Sequence, residues 1–236
     1  MKALVISDVH ANIDALRTVA EAERDADEIW CAGDLVDYGL DPCEVIAFVR
    51  EHHVRCVRGN HDSFLLSLEK AHTPIPEGQY RFVDHCRMQM SAEDLAFLEG
   101  LPEVLFWEAD GIEYCMAHMY DADYRNMILS RDAFARYWYK MNPNSSPEKE
   151  HRLIFGHTHR SCMLTLSDRM LWLNPGSVSY RRPDDPTKGA DYAVIENGKI
   201  TLRSTDYPRR TLYERMLALP LREDQRRVGC FFYGDE

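Results

Sequence analysis

Nothing in these 236 residues approaches a run of about 18 apolar side chains, so the sequence holds no candidate membrane-spanning helix. No tract is of low complexity and no unit recurs at a fixed period, which excludes repeat architectures. Paired cysteines are missing as well. The seven cysteines (31, 43, 56, 86, 115, 162 and 230) include no C-x-x-C, and an odd, scattered set does not make a disulfide framework. Cys31, Cys56 and Cys115 lie inside apolar runs and read as small buried hydrophobes. The opening residues MKALVIS enter a strand-like run without the longer apolar core and small-residue cleavage site of a signal peptide, so the expected compartment is the cytoplasm. Positive charge is scarce too: 28 Lys and Arg against 39 Asp and Glu give a net charge of −11. That balance argues against a stable nucleic-acid complex. It equally disfavours an enzyme of anionic phosphates, unless some of the carboxylates hold divalent cations that invert the local field.

What is present is enough apolar sequence, 45%, for one sizeable core, and no Gly/Ser/Pro-rich linker divides the chain. A single domain over 1–236 is expected. Strand-like and helix-like segments alternate at first: strand 2–7, a helix over 13–24 capped by Asn12, strand 28–32, a helix opened by Pro42, and strand 54–57. That order implies parallel pairing with right-handed crossovers. Residues 63–71, 80–90 and 91–101 read as helices, the last with a Ser91-x-x-Asp94 capping box, and together they make a cap-like helical insertion at about 62–101. Beyond Pro102, strands at 104–108 and 112–117 meet in a hairpin at Asp110-Gly111, a helix covers about 130–140, and strand 152–155 follows. Strands at about 162–166, 169–173, 190–196 and 199–205, with an Asn197-Gly198 turn, predict a second sheet that is mixed or antiparallel. The last helix is expected over 209–219, and the tail Gly229–Gly234 either covers the core or meets a partner chain.

The ends of these strands carry the chemistry. The first stops at Asp8-Val9-His10, the second at Gly33-Asp34, the third at Gly59-Asn60-His61-Asp62. Strand 112–117 ends in His118, and strand 152–155 in Gly156-His157-Thr158-His159. Carboxyl ends of parallel strands share one crevice, so these side chains converge. Each piece alone is unremarkable: a lone histidine is more often a core residue, and Gly-Asn-His-Asp alone is a polar turn. Together they supply the nitrogen and oxygen ligands that a pair of divalent ions needs. Asp34 can bridge two ions, Asn60 can ligate through its neutral amide oxygen, and Gly33, Gly59 and Gly156 are expected to let the backbone turn sharply beside them.

The series D-x-H, G-D, G-N-H-[D/E], H, G-H-x-H resembles the signature of the calcineurin-like metallophosphoesterase superfamily, over residues 8–159. SDVHANIDAL, GDLVDYGLDP, VRGNHD, GHTH and NPGS are similar to its small prokaryotic phosphodiesterase and diadenosine tetraphosphatase-related branch. The resemblance implies a four-layer α/β/β/α sandwich with two mixed sheets and a helical insertion. It implies two divalent metal ions, manganese foremost, with iron, zinc, cobalt or nickel as alternatives. Asp8, His10 and His159 would hold the first ion, Asn60, His118 and His157 the second, and Asp34 would bridge them. A metal-bridging hydroxide would cleave a phosphodiester or phosphomonoester in a small phosphate-ester or nucleotide substrate. His61 would protonate the leaving group, oriented by Asp37. Asn60 and Arg58 would contact substrate, although Arg58 also reads as a structural ion pair.

Two positions depart from relatives: Tyr38 stands where the protein phosphatases carry a phosphate-gripping Arg, and Met119 follows His118 where Gly is usual. His52, His53, His72 and His85 match no site pattern. Asn174-Pro175-Gly176-Ser177 reads as a structural loop near the metals, Arg181-Arg182 as a solvated pair that can reach a phosphate, and Tyr137-Trp138-Tyr139 as packing that can also stack a base. The rival function is a non-catalytic metal-binding scaffold of the same fold that binds a protein partner, as the retromer subunit does. Retention of His61 and of every ligand position favours the enzyme.

Overall fold

The computed structural model describes residues 1–236 apart from 124–125, 180–181, 183–186 and 235–236. The N-terminal half alternates β1 (Lys2–Ile6), α1 (Ile13–Ala22), β2 (Glu28–Cys31), α2 (Pro42–Glu51) and β3 (Arg55–Cys56), then runs through α3 (Asn60–Lys70), α4 (Phe82–Gln89) and α5 (Ala92–Gly100). There follow β4 (Val104–Ala109), β5 (Ile112–Ala117), α6 (Arg131–Met141), β6 (Glu150–Ile154), β7 (Cys162–Ser167), β8 (Met170–Asn174), β9 (Ala190–Glu196), β10 (Lys199–Thr205), α7 (Arg210–Leu217) and α8 (Glu223–Tyr233).

Local chemistry sets the element starts. Asn12 Oδ1 accepts from the Ala15 amide at the head of α1, Pro42 begins α2, and Ser91 and Asp94 form the capping box of α5. Asp110-Gly111 and Asn197-Gly198 take the left-handed backbone that two-residue hairpins require.

The strands form two five-stranded sheets, in the orders β10-β9-β1-β2-β3 and β4-β5-β6-β8-β7. Both are mixed. β1, β2 and β3 run parallel, β9 pairs antiparallel with β1 and β10 antiparallel with β9, and β5, β6 and β8 run parallel between antiparallel β4 and β7. Alternation along β1 shows how the layers stack. Ala3 and Val5 pack between the sheets with Trp30, Tyr114, Ile154 and Leu173, while Leu4 and Ile6 face Leu16, Ile46 and Leu65 of the helices. On the far side of the second sheet, Phe134 and Trp138 of α6 cover Cys115, Leu153 and Trp172. The result is helices, sheet, sheet, helix: the four-layer α/β arrangement.

Two expectations are corrected. α3 begins at Asn60, three residues before the predicted start, because Asp62 reaches back to the Gly59 amide at 2.8 Å and closes the first turn. The helix expected over 209–219 is not the last: α8 follows, packing Phe232 and Tyr233 against Leu40 and Phe82, so the tail covers the core. Its Gly229, which obscured the helix in the sequence, sits where an added Cβ would lie 2.8 Å from Met216 Sδ and 3.0 Å from Phe82 Cζ.

Candidate active site

Because β1, β2, β3, β5 and β6 all end on one side, the loops that follow them meet there. Their backbone is unusual. Asp8, His10, Ala11, Asp34, Asp37, Tyr38, His157 and His159 all have φ between 47° and 72°, eight of the twelve non-glycine residues with positive φ among the described residues. Each such residue costs on the order of 1 kcal/mol or more, and conformations of this kind persist where a site demands them. The glycines need correcting in part. Gly33 does turn, at φ +95°, but Gly59 and Gly156 are required by crowding: a Cβ would fall 2.0 Å from Asp34 Oδ1 and 1.9 Å from Ser7 Oγ respectively.

These loops bring all seven expected ligand residues together. His159 Nε2 lies 3.1 Å from Asp8 Oδ1. Asp34 Oδ1 accepts from the His61 amide at 2.8 Å, which leaves Oδ2 facing His118 Nε2 at 3.1 Å and His10 Nε2 at 4.0 Å. Asn60 Oδ1 lies 2.8 Å from both His118 Nε2 and His157 Nδ1. Donor atoms of Asp8, His10 and His159, and again of Asp8, Asp34 and His118, fall within 4.8 Å of one another.

The second nitrogens fix the tautomers. His118 Nδ1 is 2.7 Å from the Ala32 carbonyl and His10 Nδ1 is 3.1 Å from that of Val36. A carbonyl only accepts, so both Nδ1 atoms carry hydrogen and both rings turn Nε2 inward, where it offers a lone pair whenever it holds no proton. There the lone pairs meet carboxylate and amide oxygens, which are acceptors as well. Such a set is satisfied by a cation, and mixed imidazole, carboxylate and amide donors suit borderline divalent ions, so the residues fit the expected metals. Titration behaviour agrees. Burial, then His61, depresses His10 to about 4. Burial also disfavours charge on His118, but Asp34 beside it outweighs burial and pushes it up to about 10, a proton serving in place of a cation. Asp34, although buried, is held far below the usual carboxylate range by His118.

His61 stands beside this cluster, its Nδ1 2.8 Å from Asp37 Oδ2. Burial works against its charge, yet the Asp37 bond raises it to about 9. The Tyr38 ring stands 5.0 Å from His61 and 5.2 Å from His10. Arg58 is committed elsewhere, donating to the Glu99 carbonyl at 3.0 Å and to Glu103 at 3.1 Å. Asn174 and Ser177 hold loops, donating to the Gly156 and Asp8 carbonyls. Arg182 donates to the Thr158 carbonyl at 2.9 Å, and Arg181 lies outside the described residues. His52 stacks on Phe48 and His85 bonds Tyr80, both apart from the cluster. Sequence reasoning missed Asp62. Its fully buried carboxyl accepts from the Leu35, Val36 and Gly59 amides, tying the Asp34 loop to the Asn60 loop, and burial with the Asp34 charge raises it to about 6. The fourth residue of Gly-Asn-His-Asp was its only signal.

The calcineurin-like phosphoesterase superfamily domain matches residues 1–198. An uncharacterized protein of Methanocaldococcus jannaschii is 25% identical over 227 residues, 90% of each chain. The symmetrical bis(5'-nucleosyl)-tetraphosphatase of Erwinia tasmaniensis is 37% identical over 73 residues, 29% of this chain and 27% of its own. Among solved structures, a metallophosphoesterase from Sphaerobacter thermophilus is 27% identical with a TM-score of 0.71, covering 97% of this chain and 100% of that one. A Pyrococcus horikoshii protein shares the fold at 17% identity and a TM-score of 0.74, covering 100% and 99%. With the seven expected side chains gathered at the strand ends and the family match running over most of its length, the chain belongs to the calcineurin-like phosphoesterase superfamily, a family of hydrolytic enzymes.

Proposed function

We propose that this protein hydrolyses a small phosphate ester or nucleotide with two divalent cations, manganese foremost. In this reading Asp8, His10 and His159 would hold one, Asn60, His118 and His157 the other, and Asp34 would serve both. The observation that carries it is the inward Nε2 of His118: with Nδ1 spent on Ala32, Nε2 converges with Asn60 Oδ1 at 2.8 Å and Asp34 Oδ2 at 3.1 Å, a donor set in which a cation can take the place of the proton. A cation pair bound there would lower the pKa of a shared water and offset charge on the phosphoryl oxygens. The chain's own residues supply the rest. Asn60 and His61 occupy the first turn of α3, where the helix dipole favours an anion. Asp37 fixes the His61 ring through Nδ1, which leaves Nε2 to give a proton to the departing oxygen. The seven cysteines are all free, consistent with a cytoplasmic setting.

A metal-binding scaffold of the same fold would hold cations without turnover. The His61–Asp37 pair favours the enzyme, since neither residue is needed to hold an ion. The test is His61→Ala with manganese supplied. Its metal content should match the wild type, while turnover of an alkyl phosphate falls by about 10²–10⁴. The loss should be smaller for p-nitrophenyl phosphate, whose leaving group needs no proton. Equal losses on both esters would remove the acid role, and no manganese-dependent turnover of either would favour the scaffold.

A further inference from the structure

A second feature of the site has a specific chemistry. A cavity of about 350 Å³ opens beside Asn60 and His118, between the head of α3, β4, β5 and α6. Its volume falls in the range of roughly 300–1,000 Å³ typical of small-ligand sites. Arg58, Ser63, Val104, Met119, Tyr137 and Met141 line it. Two of the expected metal ligands, Asn60 and His118, form one wall, so the cavity lies directly beside the place where a phosphate would be held in the reading above.

The lining says what can enter. Tyr137 contributes an aromatic ring, and Met119 and Met141 contribute polarizable thioethers that suit the faces and edges of flat rings. Among the described lining residues outside the expected ligand set, the cation is Arg58, which already holds the Glu99 carbonyl and the Glu103 carboxylate, and Glu103 lines the same cavity, where it repels an entering anion. Ser63 Oγ donates to the Gly59 carbonyl. Apart from the expected ligands Asn60 and His118, the described lining residues offer apolar contact and no uncommitted Lys or Arg. Met119 matters here because it stands at the position where a glycine was expected, and a glycine would contribute no side chain to this wall.

We propose that this cavity holds the organic group esterified to the phosphate, and that this group is a neutral, aromatic, nucleoside-like ring system rather than a further phosphate. The assignment rests on the phosphohydrolase reading above, and the experiment separates the two. Ser63 is exposed at the start of α3 and Met141 is half-buried at the end of α6, so Ser63→Trp and Met141→Trp would each fill the cavity from its edge. Neither residue belongs to the ligand set or to the His61–Asp37 pair.

Two readouts are needed. The first is direct binding of 2-naphthol, followed by its fluorescence, and of adenosine, followed by calorimetry. Both should bind the wild type, and each tryptophan variant should weaken them at least tenfold. The second is turnover of 2-naphthyl, phenyl and methyl phosphate and of methyl diphosphate in the manganese-loaded protein. Phenol and naphthol leave with similar ease, so the naphthyl-to-phenyl ratio of kcat/KM reports the cavity rather than the chemistry. That ratio should exceed 1 in the wild type, through KM, and collapse toward 1 in both variants while methyl phosphate turnover is unchanged. Binding and ratio that survive in both folded variants, or preference for methyl diphosphate over the aryl esters, would overturn the assignment. Absence of turnover with every ester would strike the hydrolase reading instead, and the naphthol and adenosine binding would still decide the cavity.

Discussion

Asp34 divides its carboxylate between two tasks. Oδ1 accepts the His61 amide and so fixes the head of α3, while Oδ2 faces histidines from both halves of the cluster. Asp37, three residues on, bonds the His61 ring and the Tyr38 amide. The two residues therefore separate by consequence. Asp34→Asn should reduce kcat/KM by about 10³ or more and lower the bound metal. Asp37→Asn should cost roughly 10- to 100-fold, the usual effect of losing an orienting partner, with metal content intact. Steady-state kinetics with metal analysis on both variants checks this, and similar residual rates would contradict it. At this scale the sequence was most legible for residues whose side chains are chemically distinctive at strand ends, such as Asp8, His118 and His159. It was least legible where the reason is spatial. Gly59 looks like a turn glycine, yet its φ is −90° and its role is to let Asp34 approach. Asp62 looks like a potential ligand or a turn residue, yet all its acceptance goes to backbone amides.

Among the elements, α8 is the one periodicity did not reveal, and it lies beyond the residues the family domain matches. A glycine in mid-helix opposes helix propensity by about 1 kcal/mol, so the segment reads as irregular until the close crossing with Met216 and Phe82 explains it. Its position has a consequence for the site. Tyr233 donates from its hydroxyl to the Tyr38 carbonyl at 2.9 Å, and the Phe232 ring stands 5.9 Å from that of Tyr38. The helix thus braces the left-handed loop that carries Asp37. Tyr233→Phe removes that one donor from a fully buried ring. The expected loss is about 1 kcal/mol, or a Tm lower by about 2–4 °C, with a several-fold drop in kcat and no change in metal content. A melt and a rate assay on the variant suffice. An unchanged rate would show that the loop holds its shape without α8. By contrast α1, α2 and α5 were legible because Asn12, Pro42 and the Ser91/Asp94 pair are local signals that tertiary packing did not override.

Across the whole molecule, two sheets of different connectivity meet with their parallel strands ending at a common edge, and every expected ligand sits on that edge. The four layers and two mixed sheets were expected from the family resemblance, and the hairpins of the later strands left the second sheet mixed or antiparallel; the parallel pairing of β6 with β5 and β8 across long connections is what no local pattern records. The first sheet is tied to its helical layer by Glu23, buried at the end of α1, which pairs with Lys2 of β1 at 2.9 Å, accepts from Tyr192 of β9 at 3.1 Å and meets Arg203 of β10. Burial raises its carboxyl, but these partners outweigh burial and hold it below the ordinary 4.5. A depressed carboxyl contributes its stability above the unfolded-state value and loses it as pH falls through the folded-state value. Glu23→Gln should therefore lower the Tm at pH 7, and the gap should close as the pH falls below the ordinary carboxylate value and through the folded-state one. A gap that is constant with pH would assign the effect to packing alone.

Whether the strand-end cluster cages two cations is the claim on which the rest depends, and anomalous scattering from crystals grown with manganese measures it most directly. The account predicts two peaks inside the cluster, one contacted by Asp8, His10 and His159, the other by Asn60, His118 and His157, with Asp34 touching both. No peak within the cluster, or a single ion that leaves Asp34 or the His118–Asn60–His157 set uncoordinated, would contradict it.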